Sequence, residues 1–192
     1  MPNPINQSIR KTCIDVRKQL SADYQRHTSN KICNRIRAMS QYRYAKHIAL
    51  YHALNGEVDL SNLWRSAPLH GKFCYFPKMN GDGSLSFLPA TPASSFQLNH
   101  YGILEPDVDL LHAIKPDAID LMLTPLVAFD SQGTRLGMGK GCYDRTLAQQ
   151  RPKLLVGIAY EFQHQAFIEP QPWDIRLDAT VTETTIYWSN PS

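Results

Sequence analysis

Apolar residues recur at spacings of three and four through the first forty positions: Ile9, Cys13, Val16 and Leu20, then Ile32, Ile36 and Met39. That period places them on one face of a helix. Ser21-Ala22-Asp23 interrupts the run, and a serine hydroxyl readily takes a free N–H of a helix's first turn. Two helices are predicted, one before Leu20 and one from about Ala22 to Met39, forming a basic helical segment over about 7–40 with its Arg and Lys residues outward. Beyond Lys46 the pattern changes to short apolar runs closed by turn residues: His47–Tyr51, Phe73–Phe76, Ile119–Leu123 and Leu154–Ala159. These are signatures of buried strands. Stretches of helical length, Leu60–Ala67 and Tyr143–Gln150, lie between them. The alternation predicts an α/β fold, one three-layer domain over residues 1–192 with a central, largely parallel sheet flanked by helices. Gly81-Asp82-Gly83 with Pro89 and Pro92 predicts a hairpin and an irregular loop within 80–105, and Thr180–Trp188 a late edge strand.

The 192 residues are 43% hydrophobic and 19% charged. That is enough to bury a core and too little charge for a disordered chain. Twenty Lys and Arg against seventeen Asp and Glu give a net charge of +3, unevenly spread: residues 1–46 carry ten basic and two acidic side chains, net +8, and the remainder is at −5. A basic segment on an acidic body faces anions, whether nucleic acid, lipid or nucleotide phosphate. A nucleic-acid-binding module built on Arg10, Arg17, Arg35 and Arg37 is the alternative this raises. Against it, the segment has no reader motif and only Tyr24, Tyr42 and Tyr44 as stacking aromatics. Cys13, Cys33, Cys74 and Cys142 form no C-x-x-C pair or zinc-ligand cluster. Scattered thiols, a start without a basic-then-apolar leader and no membrane-length apolar run give the expectation of a cytoplasmic protein with no membrane partner.

The chemistry concentrates in one stretch, Thr124 to Arg145. Here an apolar strand leads through a turn to Gly137, Gly139 and Gly141 on alternate positions, with Arg135 and Lys140 among them. Glycines admit an anion close to backbone N–H groups, and the cations supply charge, the composition of a phosphate cradle. The Walker A spacing fails, because Gly139-Lys140 has no Gly five positions earlier and is followed by Gly141. The dinucleotide fingerprint fails at Cys142. Asp144 beside such a cradle would repel phosphates unless Mg²⁺ lay between them; a first-turn helix acid is the bland reading. A second carboxylate could come from Pro172–Asp178. Glu57 follows the first strand, where ligands of open α/β sheets bind, and a solvated turn acid is equally compatible. Tyr101 could stack on a flat ligand or pack into the core.

The residues Ile9-Arg10-Lys11, Arg17, Gly56-Glu57-Val58-Asp59, Gly102-Ile103-x-Glu105-Pro106, Arg-Leu-Gly-x-Gly-x-Gly-x-Tyr-Asp at 135–144 and Trp173-Asp174-Ile175 together make the chain resemble the 5-formyltetrahydrofolate cyclo-ligase (methenyltetrahydrofolate synthetase) family over nearly its whole length. The resemblance implies ATP- and Mg²⁺-dependent closure of 5-formyltetrahydrofolate to 5,10-methenyltetrahydrofolate, with these small molecules as partners, no nucleic acid and a monomer expected. It implies an ATP loop formed by Arg135, Leu136, Gly137, Met138, Gly139, Lys140, Gly141, Cys142 and Tyr143. In it Arg135 and Lys140 are the catalytic cations, and Arg10 and Asn6 are further ATP contacts. Asp144 and Asp174 correspond to the Mg²⁺ ligands, with Asp178 a weaker neighbour. Glu57 corresponds to the pterin anchor, and His52, Tyr101 and Cys142 to pocket walls. Two positions depart from the family pattern: Asn6 stands where many members have Lys, and Cys142 where an aromatic residue precedes the Tyr. Altered affinity is expected from both.

Overall fold

The computed structural model describes residues 3–189. Helix α1 spans Pro4–Lys18 and α2 Ala22–Ala38. The α1 start lies earlier than the apolar period indicates because Asn3 Oδ1 accepts the Ile5 and Asn6 N–H groups and Pro4 fits the first turn. Ser21 caps α2 as expected, its hydroxyl taking the Tyr24 N–H at 3.2 Å. A short α3 (Ser40–Tyr44) follows.

Lys11, Lys18, Arg26 and Lys31 are exposed as expected, but the outward placement needs correction at Arg17. Val16 is 39% exposed and Arg17 only 1%. The inner stripe of α1 therefore runs through Cys13 to Arg17, whose Nε donates to Asn55 O at 2.9 Å. Arg10 donates to Gly137 O, Arg35 to Glu183 O and Arg37 to Asn62 O. Each guanidinium named for the nucleic-acid alternative thus holds the chain's own backbone, and Arg17 is buried away from any such partner.

The remaining elements are β1 (His47–Ala49), α4 (Ser61–Ser66), β2 (Phe73–Met79), β3 (Leu85–Pro89), β4 (Phe96–Leu98), β5 (Leu104–Pro106), β6 (Leu121–Pro125), β7 (Ala128–Phe129), β8 (Arg135–Leu136), α5 (Cys142–Leu147), β9 (Leu155–Ile158), β10 (Ala179–Val181) and β11 (Ile186–Trp188). Seven strands form one sheet in the order β11-β10-β9-β6-β1-β2-β3. The five inner strands are parallel, and β3 and β11 close the edges antiparallel. Side chains alternate through the sheet. Ile48, Leu121, Leu123 and Val156 share one core with Ile32 and Ile36 of α2 and Leu63 of α4. Ala49, Met122 and Leu155 point the other way, toward Leu147 of α5. The three layers follow.

Several boundaries differ from the sequence reading. The late edge strand is a hairpin, β10 and β11. The 80–105 region forms the expected β2–β3 turn and, in place of a wholly irregular loop, the small β4–β5 ribbon. Pro77 does not end β2. Along a strand N–H groups alternate in direction, and the side of Pro77 that would donate is the one where β1 has already stopped. Two residues on, the Met79 N–H on that side goes to the Glu105 carboxylate at 2.9 Å.

The two-stranded β7–β8 hairpin delivers the glycine stretch to the sheet's end. Its turn is held by buried Asp130, whose carboxylate accepts from Gln132, Thr134 and Ile168 N–H groups. At Gly133 φ is 82°, and a Cβ would lie 2.5 Å from Leu177 O. Gly133→Ala is therefore expected to destabilise the fold by about 2–3 kcal/mol. Thermal melting against the parent chain checks this, and an unchanged melting point would refute it.

Candidate active site

The parallel strands β1 and β6 both point their carboxyl ends at one cavity of about 780 Å³. Open α/β sheets bind ligands in that position. One wall is the stretch 135–144, another the segment after β1 that carries His52 and Glu57, and a third comes from Arg10 on α1 and Trp173-Asp174.

The glycine stretch is shaped for close approach. Gly139 and Gly141 have φ of 95° and 64°, where other residues are strained, and a Cβ at positions 137, 139 or 141 would meet no heavy atom within 4 Å. Crowding by the protein therefore does not demand these glycines, and bare backbone faces open space. Cys142 begins α5 and lines the cavity between Gly141 and Tyr143. Burial drives the Tyr143 hydroxyl's pKa well above its ordinary value, and the neighbouring Glu57 charge adds to this.

Arg135 and Asp144 are paired. Arg135 Nη2 lies 2.7 Å from Asp144 Oδ1, the Ile175 N–H donates to the same oxygen at 3.1 Å, and Arg135 Nη1 donates to Ile175 O. Burial pulls the Arg135 pKa down from its usual value while Asp144 opposes the shift. Asp174 uses Oδ2 to accept the Gln171 N–H at 2.8 Å. Its pKa is raised, first by burial and further by the Asp144 charge, with Arg135 and Arg10 opposing. Two like charges are thus close enough to feel one another, each with a second oxygen free of any hydrogen bond among the described residues. Such a pair fits a divalent cation completed by substrate phosphates. Among the described residues there is no group of three or more His, Cys, Asp and Glu that could hold a metal ion without such help. Asp178 is not part of this pair. Its oxygens bind Arg151 and the Leu155 N–H.

Lys140 is exposed, its ammonium 2.8 Å from the Tyr101 ring centroid. Lys140 lines the cavity and Tyr101 does not, so Tyr101 is the support under an exposed cation at the rim, not a pocket wall. Asn6 is only 4% exposed and donates to Glu169 O at 3.0 Å.

Glu57 sits at the other end. Its Oε2 accepts the Leu54 N–H at 3.0 Å, and Oε1 is 3.8 Å from Arg17 Nη1. Burial pushes its pKa up despite both partners. His52 stacks on Phe76 at 4.5 Å between ring centroids and meets Trp64 and Phe96 edge-on. Burial lowers its pKa, so it presents a neutral ring.

The sequence reading gave no role to two residues here. Arg17 fixes the Asn55–Glu57 turn, and its spacing of four from Cys13 on the apolar stripe was the available signal. Glu105 is buried, accepts from Met79 N–H and from Asn99 Nδ2 at 2.7 Å, and so fastens the β4–β5 ribbon against β2 as a cavity wall. No short-range pattern announces that contact.

Comparison with known proteins agrees with this arrangement. The sequence pattern of the 5-formyltetrahydrofolate cyclo-ligase family matches residues 3–183. The 5-formyltetrahydrofolate cyclo-ligase of Haemophilus influenzae is 34% identical over 175 residues, 89% of this chain and 94% of that one. Its Escherichia coli K12 counterpart is 33% identical over 179 residues, covering 89% and 96%. The solution structure of Aquifex aeolicus 5,10-methenyltetrahydrofolate synthetase superposes with a TM-score of 0.86 at 33% identity, covering 98% of this chain and 94% of that one. With a matched pattern over nearly the whole chain, the same fold, and its glycine stretch, paired carboxylates and buried glutamate on one cavity, the chain belongs to the 5-formyltetrahydrofolate cyclo-ligase family.

Proposed function

We propose that this protein converts 5-formyltetrahydrofolate to 5,10-methenyltetrahydrofolate at the expense of ATP, releasing ADP and phosphate, with Mg²⁺ required. The observation that carries the reading is the polarity of a single cavity: a glycine-lined cationic wall with two adjacent carboxylates at one end and the largely buried Glu57 carboxylate at the other.

A formamide carbonyl is a poor electrophile and its oxygen a poor leaving group. Transfer of the γ-phosphoryl group to the formyl oxygen breaks the bond to ADP and lets N5 share its lone pair as an iminium. N10 then attacks the formyl carbon and loses its proton. The C–O bond breaks, phosphate departs with the electron pair, and the methenyl bridge remains. Such a reaction asks the protein for positioning and charge compensation. Backbone N–H groups of 137–141 are suited to cradle the phosphates, and Lys140, unpaired with any carboxylate among the described residues, to follow the transferring group. Arg135 acts chiefly through Asp144, which it holds in place. Asp144 and Asp174 would hold Mg²⁺, which would supply neutralising charge for the phosphates. Glu57 accepts N–H groups of the pteridine edge, and the neutral His52 ring packs beside it. Ordered ligands in a recessed site also keep water from the activated formyl carbon.

Purified protein mixed with ATP, Mg²⁺ and 5-formyltetrahydrofolate is expected to give methenyltetrahydrofolate, followed by its near-ultraviolet absorbance. Absence of ATP-dependent product at every substrate level would sink the proposal.

A further inference from the structure

Ser61 and Trp64 stand three residues apart on one face of α4. With His52, on the segment after β1, they line a second cavity of about 10 Å³, room for a single water molecule. Leu50, Leu60 and Phe76 make much of the rest of its wall. Two ring nitrogens of these residues, His52 Nε2 and Trp64 Nε1, are buried and have no hydrogen-bond partner among the described residues. Buried polar groups of that kind are met in folded proteins by an enclosed water.

The chain itself sets the roles around such a water. An indole N–H only donates. The Ser61 hydroxyl donates to Asp59 Oδ1 at 2.6 Å, so its oxygen is left to accept. A water that takes the Trp64 proton therefore gives one hydrogen to Ser61 Oγ and has a second to place. His52 Nε2 takes it when that nitrogen carries no proton of its own. Were Nε2 protonated, the second hydrogen would be left against Leu50, Leu60 and Phe76. Burial lowers the His52 pKa against the opposing Asp59 charge and keeps the ring neutral, so its one proton falls to Nδ1. Stacking on Phe76 and edge contacts with Trp64 and Phe96 hold the ring in this orientation. Nδ1 is not enclosed, and His52 also lines the main cavity with Glu57, whereas Ser61 and Trp64 do not.

We propose that a water held by Trp64 and Ser61 fixes His52 as its Nδ1–H tautomer, making it a hydrogen-bond donor to the carbonyl oxygen beside the pteridine N–H groups that Glu57 accepts. Trp64 and Ser61 are then positioning residues, acting on the folate without touching it. The proposal rests on the reading of that end of the main cavity as the folate site. The test records the His52 ring-nitrogen shifts by NMR in the full chain carrying isotopically labelled histidine, and measures turnover beside them. In the parent, Nδ1 is expected to carry the proton and Nε2 to show the shift of a bare, hydrogen-bonded nitrogen. Trp64→Phe keeps the aromatic contacts and removes the donor, and Ser61→Ala removes the acceptor. Each is expected to mix the two tautomers and to raise KM for 5-formyltetrahydrofolate about fivefold, with KM for ATP held and melting within a few degrees of the parent. His52→Phe should raise folate KM as much, and adding Trp64→Phe to it should raise it no further. An Nε2–H tautomer in the parent overturns the proposal, as do parent-like nitrogen shifts in both variants, additive effects in the double variant or an equal rise in KM for ATP. A parent chain that forms no methenyl product would refute the cyclo-ligase activity, while the nitrogen shifts would still decide the tautomer.

Discussion

Glu57→Gln is expected to lower kcat/KM for 5-formyltetrahydrofolate by about a hundredfold while leaving KM for ATP unchanged. A carboxylate offers two acceptors to the pteridine N–H groups, whereas a carboxamide turns one of them into a donor facing a donor and removes the charge from the other. Charge-assisted hydrogen bonds contribute about 1.5–3 kcal/mol each, so their combined weakening by about 3 kcal/mol gives the hundredfold. The pH dependence has a definite sign. Burial raises the Glu57 pKa, so the carboxylate needed for binding is lost at a higher pH than for an ordinary glutamate, and folate affinity falls on that acid limb. The Gln variant should lack the limb. Because the folded pKa lies above the unfolded one, ionised Glu57 costs the fold stability at neutral pH, a cost that disappears as pH falls through the folded value. The neutral Gln carries none of it, and the variant should melt within a few degrees of the parent. Folate KM and melting are the two measurements. An unchanged folate KM would remove Glu57 from the pterin site.

The second large effect separates two carboxylates that look equivalent in sequence. Asp144→Asn and Asp174→Asn should each cut Mg²⁺-dependent turnover, by about a thousandfold and about a hundredfold, with folate affinity little changed. Their stabilities should diverge. Asp144 is the counter-ion of buried Arg135 and also accepts the Ile175 N–H, so neutralising it leaves a buried guanidinium without compensation and destabilises by about 3 kcal/mol. Asp174 has a raised pKa, partly from the Asp144 charge. Its ionised form therefore weighs against the fold above that pKa, and Asn removes the repulsion while its Oδ1 can still accept the Gln171 N–H. Asp174→Asn should melt no lower than the parent while needing more Mg²⁺ for half-maximal rate. A parent-like Mg²⁺ requirement in Asp174→Asn would exclude it as a metal ligand.

The layers of this fold were legible because they depend on local periods. Ile32 and Ile36 lie on one helix face, and the Leu121–Leu123 run is buried on both faces of the sheet. Ser21 caps as a short polar side chain must. Illegible were features set by partners distant in sequence. Pro77 reads as a strand end until β1 is seen to stop short of it. The 180–188 segment reads as one strand because three of the four residues that turn it, Thr182, Thr184 and Thr185, are β-formers. In the site, the glycine stretch and Asp144 were visible from composition and spacing. The pairing of Arg135 with Asp144, nine residues away, and the proximity of Asp174 depend on tertiary folding alone. The family resemblance supplied Asp174, Arg10 and the role of Glu57, which spacing left open. Arg17 was hidden by the rule that charges face outward, and its bonds to Asn55 O and Leu126 O with its nearness to Glu57 explain the exception.

That buried arginine also makes α1 a ruler. Arg10 reaches the glycine loop and Arg17 the Glu57 turn, and the seven residues between them are nearly two turns, about 10.5 Å of rise with both side chains on one side. One rigid rod therefore gauges the gap between the nucleotide end and the pterin end, the gap across which a phosphoryl group has to pass. Its pitch makes length matter more than composition. Substitutions on the outer face leave the gauge intact, whereas a single inserted residue between the two arginines would swing one of them about 100° from its carbonyl and set the two ends out of register.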